Sequence, residues 1–159
     1  MQPDVFGDLD EQNAVLAKLH EIASRGSLHE HQVGLARILR FKQNCCLINA
    51  ALDYSNDIKS ASAILIAEVL NLLVSQDLPT HTRALAATVL GHLICHYPAD
   101  AVSDFDIERV IESMVHVLSR PQSPLVKRAL FRAISAARKS MDGRKTLSPF
   151  TKISPDTPA

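Results

Sequence analysis

The chain has 159 residues, a size that suits one domain with a tail, and 47% of them are hydrophobic against 21% charged. That much apolar material excludes a wholly disordered chain, and 4% aromatics with no Trp, beside abundant Leu, Ala and Ile, argues against a β-sandwich or barrel. The formal net charge of zero hides a division: residues 1–120 hold nine Lys/Arg against fifteen Asp/Glu, a net of −6, while residues 121–159 hold eight against two, a net of +6. A chain divided this way presents a basic end to an acidic partner, or pairs its own ends with another copy.

The pattern predicts helices throughout and no strand. Asp8 or Asp10 caps a first helix to about residue 24, with Val15, Leu16, Leu19 and Ile22 along one stripe and Gly26 just beyond. Ser27-Leu28-His29-Glu30 has capping-box spacing and opens a second helix carrying Val33, Leu35, Ile38 and Leu39. Residues 45–54 form a short third helix, which could join the second through Gln43. Asn56 or Asp57 caps a fourth over 58–75, and a fifth runs from 79–80 to His96, where Pro98 stops it. Ser103 or Asp104 caps a sixth, its acidic first turn (Asp104, Asp106, Glu108) matching the positive helix end. Ser123-Pro124 starts the seventh, which ends near Met141 with Gly143 as its C-terminal cap. The fourth and fifth helices are apolar almost all round, as expected of helices sandwiched between neighbours.

These limits give a flexible N-terminus at 1–9, a helical domain at 10–143 and a disordered tail at 144–159. The tail holds Ser148-Pro149, Ser154-Pro155 and Thr157-Pro158, whose Ser148, Ser154 and Thr157 are candidate sites of proline-directed phosphorylation that would offset its basic charge. Three cysteines, with Cys45 and Cys46 adjacent, do not make a disulfide framework and read as reduced thiols inside a cell. Residues 1–10 carry acids and no apolar run, which predicts no secretory leader. The longest stretch free of charged side chains, 84–99, is shorter than a membrane span needs. The expected setting is soluble and intracellular, cytoplasmic or nuclear, with no membrane partner.

Three predicted helix starts resemble one another: Ile58-Lys59-Ser60-Ala61, Thr82-Arg83-Ala84-Leu85 and Val126-Lys127-Arg128-Ala129. This is similar to the second-helix pattern of HEAT and armadillo repeats, where an aliphatic and a basic residue follow a Pro- or Asp-containing turn. The fifth and seventh helices match at a 44-residue offset, inside the ~40–47 of that class. Over about residues 28–141 the resemblance implies an all-α chain: a short right-handed α-solenoid of about seven helices, in which stacked units bury their apolar faces and expose a groove. A compact helical bundle is the alternative. Uncapped solenoid ends would allow oligomers, and about three units would suit a fragment or isoform of a longer array.

Catalytic motifs are missing: there is no phosphate loop, no GxGxxG, no GxSxG and no HExxH. His92, Cys95 and His96 share a helix face at i, i+3 and i+4, but on so apolar a helix they read as core- or hinge-lining side chains rather than metal ligands. His29 and His31 face different directions, and Cys45 and Cys46 are badly placed for a mutual disulfide. No enzyme, cofactor or metal is expected.

The seventh helix carries the functional expectation. Val126, Leu130, Ala133, Ile134, Ala137 and Met141 fall on one third of its circumference, while Lys127, Arg128, Arg132, Arg138 and Lys139 occupy a separate arc into which Phe131 projects. An aromatic ringed by cations anchors a partner peptide or stacks on a nucleobase. The expected function is a scaffold or adaptor binding an acidic or amphipathic segment of another protein, with the tail as a phosphorylation-controlled switch. Such tails suit cell-cycle or chromosome-associated roles. Nucleic-acid binding through the same helix is the alternative.

Overall fold

The structure is a computed structural model that describes residues 4–98 and 105–153, with side chains described as far as residue 143. The described residues are helical and contain no strand. Seven α-helices follow in order: α1 (Gln12–Ser24), α2 (Gln32–Arg40), α3 (Cys45–Ser55), α4 (Ala63–Val74), α5 (Thr80–Cys95), α6 (Ile107–Ser119) and α7 (Pro124–Ile153), with a 3₁₀ turn at Leu28–His31 before α2.

Short polar side chains start four of them. Asn44 Oδ1 accepts from Leu47 N, Ser62 Oγ from Leu65 N, Asp106 Oδ1 from Glu108 N and Ser123 Oγ from Val126 N, at 3.0–3.3 Å. Each satisfies a donor that the helix itself leaves without a partner.

Several boundaries differ from those expected. Helix α1 starts at Gln12 because Asp8 closes the preceding turn instead, accepting Asp10 N. Ser27 is no N-cap: its hydroxyl turns back to Ile22 O, and the capping box gives way to the 3₁₀ turn. Helices α2 and α3 are separate, with Phe41 leaving the helical region at φ −83°, ψ 74°. Asp106, not Ser103 or Asp104, caps α6, and those two lie outside the described residues.

The largest difference is at the fourth helix, which begins at Ala63 rather than Ile58. Residues 58–61 are non-helical, bend at 59–60 and are held by distant groups. Gln32 accepts Ser62 N (2.7 Å) and donates to Ser60 O (2.8 Å), Ala61 N donates to His96 O (3.0 Å), and Ile58 O accepts from His92 Nε2 (2.9 Å). These bonds satisfy backbone groups of a non-helical segment whose Ile58 and Ala61 are buried while Lys59 and Ser60 stay exposed. Ile58-Lys59-Ser60-Ala61 is therefore not a helix start. At the other end α7 continues through Gly143 to Ile153, so residues 144–153 of the expected tail prolong the helix. Ser154 and Thr157 lie outside the described residues, and Ser148 sits on the helical backbone.

The helices pack in two rows. Helices α1, α3, α5 and α7 touch in that order, as do α2, α4 and α6, and the rows meet through α2–α3, α4–α5 and α6–α7. Row neighbours run parallel where side chains mark their direction. Gln12 meets Asn44 near the starts of α1 and α3, and His20 meets Tyr54 near their ends. Arg40 pairs with Glu68 across α2 and α4, downstream of the Gln32–Ser62 bond. Gly91 abuts Ala133 and Cys95 bonds Ala136 O, in the same order along α5 and α7.

Between the rows lies one apolar core, including Leu35, Ile38, Leu52, Leu65, Leu72 and Leu90, all fully buried or nearly so. Helix α5, touching α3, α4 and α7, is the most enclosed, whereas Ile64 and Val74 of α4 stay exposed, so α4 has an open edge. Two glycines set close contacts. A Cβ on Gly91 would stand 2.8 Å from Ala133 Cβ and 2.9 Å from its Cα, so glycine lets α5 and α7 approach. A Cβ on Gly34 would stand 2.6 Å from the Phe6 ring, which covers α2 and is 4% exposed. Residues 4–9, which fall in the segment expected to be flexible, form a strap together with Asp10: beside Phe6 and buried Leu9, Asp4 receives two bonds from Arg37, at 2.6 and 2.7 Å.

Candidate interaction surface

Helix α7 closes one end of the row, with α5 and α6 as its neighbours. The buried stripe is the expected one: Val126, Leu130, Ala133, Ile134 and Ala137 are buried and Met141 is half-buried. Opposite them, Lys127, Arg128, Arg132, Arg138 and Lys139 are all exposed, and Phe131 is 66% exposed.

The structure divides the predicted basic arc in two. Arg128 and Arg132, one turn apart, line a groove of about 660 Å³ between α5 and α7, and Lys139 follows on the same stripe seven residues on. Lys127, Phe131 and Arg138 form the second stripe, nearer α6. There Arg138 shares a smaller crevice of about 290 Å³ with Glu108, Glu112 and Asp142, so its charge faces carboxylates.

The α5/α7 groove has a different character. Its α7 wall adds Leu125 (50% exposed) to the two arginines, and its α5 wall supplies His81, Leu85, Thr88, His92 and His96. The floor is made of small residues, Ala84 and Gly91 against Ala129 and Ala133, as the close helix approach requires. No carboxylate lines it. Among the described residues the ion pairs of Arg25, Arg37, Arg40 and Arg109 neutralise cations elsewhere, and none involves Lys127, Arg128, Arg132, Arg138 or Lys139.

His92 and His96 stack with ring centroids 4.2 Å apart and planes at 29°. His92 Nε2 is bound to Ile58 O, His96 Nδ1 to His92 O (2.9 Å), and the Cys95 thiol donates to Ala136 O (3.6 Å). The three side chains thus bond separate carbonyls. Among the described residues no group of three or more His, Cys, Asp or Glu side chains is placed to hold a metal ion, and no helix is long and apolar enough to cross a membrane.

Ionisation is perturbed away from this surface. The Arg37 guanidinium holds the Asp4 carboxyl below its usual range and is itself raised by that bond, while burial lowers Arg83, whose Nε donates to Leu73 O. The α5 wall of the groove was not read from the sequence as part of a site. Its signal was available: His81, Leu85, Thr88, His92 and Cys95 recur at helical spacing, on the helix that matches α7 at the 44-residue offset.

Compared with known families, curated proteins and solved structures, the chain matches none of them.

Proposed function

We propose that the chain is a short α-solenoid of the HEAT/armadillo type and works as a non-catalytic interaction module, taking an acidic or amphipathic segment of a partner protein on α7. The two rows of parallel helices support the solenoid reading, since neighbours in an up-and-down bundle alternate in direction. The observation that carries the binding reading is the exposed Phe131 on a helix whose Lys127, Arg128, Arg132 and Lys139 are exposed and make no ion pair among the described residues. A large aromatic supplies contact area at little entropic cost, and the surrounding cations steer and orient an acidic ligand. Phosphorylation at Ser148, Ser154 or Thr157 would add negative charge beyond these cations in the same chain, competing with an acidic ligand for them.

The test is capture from cell extract by wild type and by Lys127→Glu/Arg128→Glu/Arg132→Glu, with circular dichroism to show that helix content is kept. Selective loss of a nuclease-resistant set of proteins supports the reading. Capture abolished by nuclease replaces it with nucleic-acid binding, for which the same cations would give a steep salt dependence. Capture unchanged in the triple variant overturns it.

A further inference from the structure

The row that runs from α1 to α7 ends in two faces of opposite charge. Helix α7 closes it, and on the stripe away from the α5 groove Lys127 and Phe131 are exposed, flanked by exposed Arg128. Both cations lie in the first turns of the helix and make no ion pair among the described residues. Helix α1 opens the row. Its Gln12 and His20 face α3, Ala14 and Ala17 are exposed, and the strap is seated on α2 in the other row.

Just before α1 stand Asp8, Asp10 and Glu11, all exposed. Asp10 and Glu11 make no ion pair among the described residues, and Asp8 acts on Arg37 through space without bonding it. Further along α1, Glu21 already takes Lys18 and Arg25, so the uncompensated acid of this end is gathered at the helix start. Exposed Val5 adds apolar surface on the strap. Where side chains mark the direction of row neighbours, start lies beside start. An α1 of a second copy that continues the row beyond α7 in the same sense brings Asp10 and Glu11 to the level of the first turns of α7. There they meet Lys127 and Arg128, and Phe131 lies against the side of α1 turned away from its own α3.

We propose that the partner taken by α7 is a second copy of this chain, which presents Asp10, Glu11 and α1, so that copies join head to tail. The proposal deepens the reading above, since it names the partner, and it rests on that reading. The two faces are different, so the contact does not end at two copies. Each pair keeps an open α7 at one end and an open α1 at the other, and addition continues unless the rotation per step closes a ring. Charges opposed across an exposed contact also make the association weaken as salt rises.

The test is sedimentation velocity on the purified full chain, before and after nuclease treatment. In about 0.05 M salt the weight-average mass should rise about two-fold or more between about 5 and about 500 μM, and return toward the monomer's in about 0.5 M salt. Lys127→Glu/Arg128→Glu and Asp10→Lys/Glu11→Lys should each stay monomeric alone. Their equimolar mixture should associate, because it supplies a native α7 beside a native α1, and that recovery shows that both variants fold. If either loses helix content by circular dichroism, Lys127→Gln/Arg128→Gln and Asp10→Asn/Glu11→Gln make the same test. Phe131→Ala should weaken association about 10-fold. Asp53→Lys, which changes an exposed acid on α3 inside the row, should leave it unchanged. A monomeric wild type, association that persists in either charge variant or is undiminished in Phe131→Ala, loss in Asp53→Lys, or a mixture of folded variants that stays monomeric overturns the inference. Association abolished by nuclease overturns it too and makes nucleic acid the occupant. The capture experiment above decides the module reading separately: a monomer whose captured proteins are lost in the triple variant keeps the module with another partner, and a monomer whose capture is unchanged loses both.

Discussion

The two ends of the helical array treat their exposed faces in opposite ways. At the N-terminal end the chain covers α2 with its own strap: Phe6 fills the space that Gly34 leaves open, and Asp4 answers Arg37 with two hydrogen bonds. At the C-terminal end α7 leaves Phe131 in water, and its Lys127, Arg128, Arg132 and Lys139 are exposed with no ion pair among the described residues. Both ends combine a guanidinium on a helix face with a phenyl ring, but at the N-terminal end the ring belongs to the covering strap and at the C-terminal end to the helix itself. The strap is acidic and aromatic and runs through two turns, and the N-terminal end displays within one chain the kind of contact that the α7 end is proposed to make with another.

Variants can break this contrast in graded steps. Phe6→Ala should have the largest effect, about 3 kcal/mol off the denaturation free energy, because it empties a buried aromatic site. Limited proteolysis should then cut first within residues 4–11. Gly91→Leu comes next, at about 2 kcal/mol, since its side chain must push α7 away from Ala133. The contrasting Gly143→Ala meets nothing within 4 Å and should raise helix content slightly, by up to about 1 kcal/mol of propensity, measured by circular dichroism.

Asp4→Asn should cost about 1 kcal/mol and remove an acid-dependent step. The Asp4 carboxyl is held below its ordinary value by Arg37, so its contribution is present above about pH 4 and is lost as pH falls through the lower folded value. Protease resistance of the strap in wild type should therefore decline below about pH 4, and that decline should be absent in the asparagine variant. Phe131→Ala closes the series. At 66% exposure it should change stability by less than about 0.5 kcal/mol while weakening partner capture. A large stability loss there would show that the ring serves the fold, and would erase the difference between the two ends.

Much of this arrangement was legible in the sequence. The Ser123-Pro124 start, the buried stripe of α7 and the exposure of Phe131 follow from local pattern, because caps and helical period are properties of neighbouring residues. The misplaced start of α4 shows where that ends. Ile58 and Ala61 fit a helical period with Ile64 and Leu65, and both are buried, but what orders them is a glutamine some thirty residues earlier and two histidines some thirty-five later. No local rule contains those partners. The strap was missed for a related reason: seven residues with four polar or flexible members look mobile until Gly34 and Arg37 are brought beneath them. In the groove the α7 wall was visible and the α5 wall was not, since joining them requires knowing which helices are neighbours.

The parallel run of α5 and α7 has an electrical consequence. Each helix concentrates a partial positive charge at its first turn and a partial negative charge at its last. Side by side in one direction, the two dipoles reinforce each other, making the groove more positive toward Thr80 and Pro124 and less so toward its far end. A ligand lying along it therefore meets a gradient and not a uniform field. An acidic segment of the proposed kind, with its carboxylates gathered at one terminus, would have one preferred polarity in the groove, with that terminus beside the starts of the two helices.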